Sequence, residues 1–281
     1  MLLIISRKTL SLLATLLLPV LLASNASASL LISPTRVTFA ERDRSTKVFL
    51  MNTSSETKTY RLEFQQQRQL PDGRYQALNE EELASFNIAS SMLKFSPRQV
   101  TLGPGERQQV RIAVRRPKDL APGEYRSHLL LAALPGSKDR SQTEGVGIQL
   151  NLRLSFSIPV IVRAGGLNAN AEFGPVALYR ETGDAKPDGV TFAINRSGLH
   201  STFGSLKAFW RPHDVGEERQ VATLNNVAVF HENSQRLVRL PFHDPIARDG
   251  TLRLIYQGDD ELGERTLAEQ QLTISDYRLA P

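Results

Sequence analysis

Between Gly145 and Arg163 the sequence reads GVGIQLNLRLSFSIPVIVR, and apolar and polar residues alternate almost without a break. Val146, Ile148, Leu150, Leu152, Leu154, Phe156 and Ile158 fall on one parity; Gln149, Asn151, Arg153, Ser155 and Ser157 fall on the other. Successive side chains of a strand point to opposite faces, so this pattern predicts a single long β-strand with one buried face. Strands usually run about 5 to 6 residues, whereas this run at roughly 3.3 Å per residue would span roughly 50 Å. A domain of about 130 residues is only roughly 36 Å across. The run must therefore reach past its own core or finish another one.

The rest of the chain sets the context for that surplus. MLLIISRKTLSLLATLLLPVLLASNASA places Arg7 and Lys8 before an apolar stretch and ends in Ala26-Ser27-Ala28. This is the pattern of a secretory signal peptide over residues 1–28, so the chain is expected to be exported. Loss of Arg7 and Lys8 lowers the formal net charge from +5 to +3. The remaining charges are mixed in sign and not interleaved with aromatics, which argues against nucleic acid as a partner. No second segment reaches about 18 consecutive apolar residues, so the mature chain is not expected to insert stably in a membrane. With zero cysteines, stability has to come from packing, and a mature length of about 253 residues suits two cores.

Short β-rich segments recur along the mature chain. LLISPTRVTFA, TKVFLMNTSS, KTYRLEFQQQ, QVRIAVRR and EYRSHLLLAAL precede the long run; VTFAINRSG, GSLKAFWR, NVAVFH, QRLVRLPFH, TLRLIYQG and EQQLTISDY follow it. Each is bounded by Pro, Gly, Asn, Asp or Ser. Asp72-Gly73 signals a hairpin, Pro104-Gly105 a turn, and NEEELASF the best short helix. AGGLNANAEFGP, residues 164–175, reads as an interdomain hinge. The expected architecture is all-β, two sandwiches in tandem divided within this stretch: residues 29–166 and 167–281.

Catalytic chemistry finds little support. The five histidines, His128, His200, His213, His231 and His243, show no HExxH or paired spacing. There is no G-x-S-x-G elbow, phosphate-binding loop or dinucleotide fingerprint. Asp259 to Glu261 lacks the spaced oxygens of a calcium loop and reads as an exposed hairpin tip. The expectation is a protein that binds other proteins, is not an enzyme, and has no cofactor or metal. An edge strand with spare apolar side chains can complete another protein's sheet.

The order ISPTRVTF, MNTSSETKTYRLEF, FSPRQVTLGPGERQQVRI, APGEYRSHLLLAALP and SIPVIVRAG resembles the PapD-like periplasmic pilus-assembly chaperones of chaperone/usher systems. GEYRSHL and the long alternating run look most like their archaic branch. The resemblance covers nearly all of the first domain. It implies two immunoglobulin-like domains set at an angle, a periplasmic location, and partners that are fimbrial or pilin subunits and an outer-membrane usher. It also implies donation of the last first-domain strand, with Val146, Ile148, Leu150 and Leu152 in the subunit groove.

The family anchors the subunit's C-terminal carboxylate with an Arg from the first strand and a Lys from the last. Arg36 matches the Arg; the place of the Lys falls at Ser157, with Arg153 and Arg163, of the same parity, as substitutes. Self-association through the edge strand is a further possibility the resemblance leaves open. A rival expectation is an exported structural or adhesive β-sandwich protein of a surface appendage.

Overall fold

The computed structural model describes residues 29–135, 153–180, 188–213, 216–244, 246 and 249–274. They fold as two tandem β-sandwiches.

The first sandwich contains β1 (Leu30–Ser33), β2 (Val37–Phe39), β3 (Ser45–Asn52), β4 (Lys58–Gln65), β5 (Gln67–Gln69), β6 (Tyr75–Ala77), α1 (Glu80–Ser85), β7 (Leu93–Ser96), β8 (Gln99–Leu102), β9 (Arg107–Val114), β10 (Gly123–Ala133) and β11 (Phe156–Ala164). One sheet has the order β1-β3-β9-β7, the other β2-β11-β10-β4-β8. Their inner faces share a core of Val37, Phe39, Leu50, Tyr60, Ile112, Leu129, Leu131, Ile158, Val160 and Val162, among others. LLISPTRVTFA, read as one strand, is two. β1 joins the first sheet beside β3, and β2 crosses to the second to lie parallel to β11. Pro34 lies between them and has no N–H with which to continue a ladder.

Among the described residues, the long run is a strand only from Phe156 onward. β11 begins at Phe156, and Arg153 to Ser155 lie outside it. A strand needs a neighbour, and the pairing of β10 with β11 ends at Leu131 opposite Phe156. Val146, Ile148, Leu150 and Leu152 lie outside the described residues. The register runs unbroken through Pro159, from Phe156 to Ala164. Ser157 and Arg163 therefore do share a face, opposite to Ile158, Val160 and Val162 in the core.

The second sandwich contains β12 (Asn170–Phe173), β13 (Ala177–Tyr179), β14 (Gly189–Ser197), β15 (Thr202–Pro212), β16 (Arg219–Val229), β17 (Gln235–Pro241), β18 (Gly250–Gly258) and β19 (Thr266–Ile274). β14 is flanked by β12 and β13 on one edge and β17 on the other, facing a sheet of order β16-β15-β18-β19. Trp210, fully buried, lies in the core between them. Only the first part of the expected hinge is a connection. β11 ends at Ala164, and Asn170 to Phe173 are already paired to β14.

The Asp72-Gly73 hairpin forms between β5 and β6, with Gly73 at φ +88°, where a side chain would be strained. α1 is held by a reciprocal capping box: Asn79 accepts from the Glu82 amide, and the Glu82 carboxylate accepts from the Asn79 amide.

Candidate functional site

Along β10, Glu124, Arg126 and His128 alternate with Tyr125, Ser127 and Leu129. Tyr125 and Leu129 pack on the core, so the other three occupy the outer face of the sheet. On a free sandwich that face would meet water. Here all three are buried: the second sandwich covers Glu124 and Arg126, and Tyr75 of the β5–β6 hairpin lies against His128. Ile161 of β11 makes the apolar centre of the contact with Phe203, Ala228 and Phe230.

A charged network surrounds that centre. Glu124 accepts from the Ser201 amide at 3.0 Å, from the Ser201 hydroxyl at 2.8 Å and from Arg163 Nε at 3.2 Å. Arg163 Nη2 donates to the Ser201 carbonyl at 3.3 Å and lies 3.4 Å from Glu261 Oε1. Burial alone would raise the Glu124 carboxyl. The His231 ring 3.7 Å away and the charges of Arg163 and Arg36 outweigh it and hold Glu124 well below the usual carboxylate range.

Arg36 precedes β2 on the same outer face. Its Nη2 lies 2.9 Å from Glu261 Oε1 and donates to Ser201 Oγ at 3.1 Å. Its guanidinium carbon stands 4.5 Å from the Phe203 ring centre and 5.3 Å from that of Phe230. Asp259 to Glu261 does form the tip between β18 and β19, with Asp259 and Asp260 exposed, but Glu261 turns inward. A short helical turn, Asp260–Leu262, directs Glu261 back at the first sandwich, where it meets both Arg36 and Arg163.

The β5–β6 hairpin straps the other side. Gln69, 2% exposed, donates its amide N–H to Glu232 at 3.0 Å and its side-chain nitrogen to the Ala228 carbonyl at 3.2 Å. Its own carbonyl accepts from Asn233 at 2.9 Å, and the Pro71 carbonyl accepts from the Leu237 amide at 2.7 Å. Beneath it, Arg126 stacks 3.7 Å from the Phe230 ring centre. Tyr75 of β6 meets the His128 ring edge-on, 5.1 Å between centres.

Of the four residues read as anchor candidates, Arg36 and Arg163 are brought together around Glu261. Ser157 and Arg153 are exposed and stand apart from that network. Glu124, Arg126, Glu232, Glu261, Gln69, Phe203 and Phe230 were not legible as site residues. The signal available was the period-two row Glu124, Arg126, His128, which by itself describes a solvated face.

Comparison with known proteins follows the same division of the chain. Residues 29–168 match the family described as the pili and flagellar-assembly chaperone, PapD N-terminal domain. Among solved structures, the YadV chaperone is similar at 10% identity over 88% of this chain and 100% of that one, TM-score 0.43. The CsuC–CsuE chaperone–tip adhesion subunit pre-assembly complex of Acinetobacter baumannii is similar at 13% identity over 88% and 98%, TM-score 0.43. The CupB2 chaperone of Pseudomonas aeruginosa is similar at 13% identity over 87% and 100%, TM-score 0.44. No curated protein matches.

Proposed function

Because the chain belongs, through residues 29–168, to the family of pili and flagellar-assembly chaperones, we propose that it works in the periplasm. There it holds fimbrial subunits by lending them a strand and passes them to an outer-membrane usher. The lent strand is the run that leads into β11, with Val146, Ile148, Leu150 and Leu152 as the side chains that fill the subunit's groove.

The observation that carries this reading is the way the core ends. Phe156, Ile158, Val160 and Val162 pack on the first core. Leu154, next upstream on the same parity, is already 50% exposed. In addition, β11 has a neighbour on both sides only from Val160 to Val162. From Phe156 to Pro159 the edge away from β10 carries no strand among the described residues, so backbone groups there are open to pairing. Each large side chain transferred into a partner contributes roughly 1.5 to 3 kcal/mol before ordering costs.

Arg36 is the residue we assign to the partner's C-terminal carboxylate. It already holds one carboxylate, that of Glu261, and its Nε and Nη1 have no hydrogen-bond partner among the described residues. Arg163 is committed to Glu124 and Ser201.

Co-purification from periplasm tests the reading. The tagged chain is co-expressed with a fimbrial subunit and compared with an Ile148→Asp, Leu150→Asp double variant. Stoichiometric subunit with the parent chain and none with the variant is expected. Equal recovery with both would mean that the groove-filling residues have been misidentified, and no recovery with either would favour the structural or adhesive protein.

A further inference from the structure

The sheet β1-β3-β9-β7 turns one face to the first core and the other to solvent. Val48, Leu50, Val110 and Ile112 pack inward, so Lys47, Phe49 and Met51 of β3 and Arg107, Gln109 and Arg111 of β9 stand outward. By the same parity β7 adds Lys94 and Ser96, and β1 adds Leu31 and Ser33. The outward positions of these four strands hold four cations and no carboxylate. Register sets two of the cations against each other: Lys47 stands directly across from Arg111, a like-charged pair that destabilises a sheet. Arg107 and Arg111 donate to neutral partners, the Met51 sulfur and the Ser45 hydroxyl, both at 3.3 Å.

On two other sheet faces arginines meet carboxylates. Arg253 of the second sandwich lies between Glu218 and Glu269, and Arg126 and Arg163 on the opposite sheet of the first pair with Glu232 and Glu124. The acids closest in sequence to the unpaired face are engaged in its turns. Glu106 accepts from the Gly103 amide and Asp43 from the Ala40 amide, both at 2.7 Å, and Glu41 is offset by Arg42 and Arg44 in the same turn. The imbalance extends to the whole domain: residues 29–166 hold 20 lysines and arginines against 13 aspartates and glutamates, residues 167–281 hold 12 against 16. A face that gives up stability to concentrate unpaired cations calls for an anion outside the chain.

One end of the face is apolar. Leu31 is 55% exposed and Phe49 49% exposed, and Met51 stands across from Leu31 and two residues along β3 from Phe49. Both inner strands, β3 and β9, are paired on either side, so no free backbone is offered to a partner's strand. What is offered is charge and apolar surface, over about 14 Å across and 20 Å along the strands.

We propose that this face docks the exported chain on an anionic phospholipid surface. Lys47, Lys94, Arg107 and Arg111 meet the headgroup phosphates, and Leu31, Phe49 and Met51 enter the boundary between headgroups and acyl chains. The contact is peripheral, as no helix among the described residues is long and apolar enough to cross a membrane. A second copy presenting the same face brings like charge, and a purely acidic protein segment matches the cations but leaves Leu31 and Phe49 in water. Docking of this kind is independent of subunit binding, since β11 belongs to the opposite sheet.

The exported chain is mixed with vesicles of phosphatidylglycerol and phosphatidylcholine, or of phosphatidylcholine alone, and sedimented at low salt. Retention on the first and not on the second is expected, weakening as salt rises. Lys47→Glu is the informative variant. It sets opposite charges across from each other at Arg111, so its thermal midpoint is expected to rise while its vesicle affinity falls roughly 10- to 100-fold. Phe49→Ser, with all four cations kept, is expected to lose roughly 3- to 10-fold. Arg211→Glu changes net charge equally at an exposed position of the second sandwich and is expected to bind as the parent does. No retention on anionic vesicles overturns the proposal, as does unchanged affinity in Lys47→Glu or Phe49→Ser, or an equal loss in Arg211→Glu. Vesicles left unbound while a poly-glutamate peptide binds the parent and not Lys47→Glu would give the face to an acidic protein instead.

Discussion

The Arg126 guanidinium is gripped by Glu232 across the boundary between the two sandwiches: Nη2 donates to Oε1 at 2.6 Å and Nη1 to Oε2 at 3.2 Å. The Arg126 side chain is wholly buried and Glu232 is 15% exposed. Nη2 also donates to the Gln67 carbonyl at 2.9 Å. One side chain of the first domain therefore ties together the β10 strand, the hairpin strap and the second domain. The joint is built of ion pairs, whose geometry is directional, around the small apolar centre at Ile161.

Removing one partner of this pair exposes its value. Glu232→Ala leaves Arg126 charged and buried without its carboxylate, a change that typically costs about 3 to 5 kcal/mol. We predict that loss in urea unfolding. A loss under 1 kcal/mol would mean that water reaches Arg126 in the parent protein.

Gln69 tests the strap separately. Gln69→Ala deletes the side-chain bonds to the Ala228 carbonyl, which keeps Arg236 as a donor, and to the Phe230 amide, which is left unpaired at about 1 to 3 kcal/mol. The expected signature is faster hydrogen exchange at Phe230, with protection in the second core around Trp210 unchanged. Uniform acceleration across both domains would instead make the strap part of one cooperative unit.

The pH dependence of stability has a window assignable to His128. Burial, reinforced by Arg126 and Arg36, pushes its pKa down to about 3 from the ordinary 6.5. The unfolded chain takes up a proton below pH 6.5 that the native chain does not. Stability therefore falls as pH drops from 6.5 toward 3, by up to about 1.4 kcal/mol per pH unit. The depressed Glu124 carboxyl works lower. Its contribution is present above its ordinary value of 4.5 and is lost as pH falls below that. Between pH 6.5 and 4.5 we predict that His128→Gln flattens the stability profile, read as thermal midpoints at three pH values. A slope identical to the parent's would assign it to another group.

What was legible in the sequence divides by range of interaction. Alternation marks a strand wherever it occurs, so all six segments of the second domain and Asp72-Gly73 emerged where their patterns fall. The break in LLISPTRVTFA was not read, because either half satisfies a strand pattern and the choice of sheet is made by β3 and β11. β11 starts at Phe156 for the same reason: alternation fixes parity, and the partner strand fixes length. Arg36 was legible only through family resemblance. Glu261 was invisible because its role depends on a contact 225 residues away in sequence. The outer face of β10 was misleading, since a polar face buried against another domain has the pattern of one in water.

Glu261 yields the last prediction, in which stability and binding move in opposite directions. In the free protein its carboxylate engages both Arg36, at 2.9 Å, and Arg163, at 3.4 Å. Glu261→Gln keeps the volume and removes the charge, so the two domains lose part of their attachment, expected at about 1 to 3 kcal/mol. The same change removes the carboxylate that occupies Arg36 and leaves that guanidinium free for an incoming one. Subunit capture should tighten. Arg36→Ala added to Glu261→Gln should erase the gain while leaving the stability loss in place, because Arg163 alone is already matched by Glu124. Measuring unfolding and subunit recovery on the single and double variants separates the two effects. If Glu261→Gln loses the subunit in proportion to its lost stability, Glu261 serves only to fix the domains, and Arg36 is its structural partner rather than a waiting anchor.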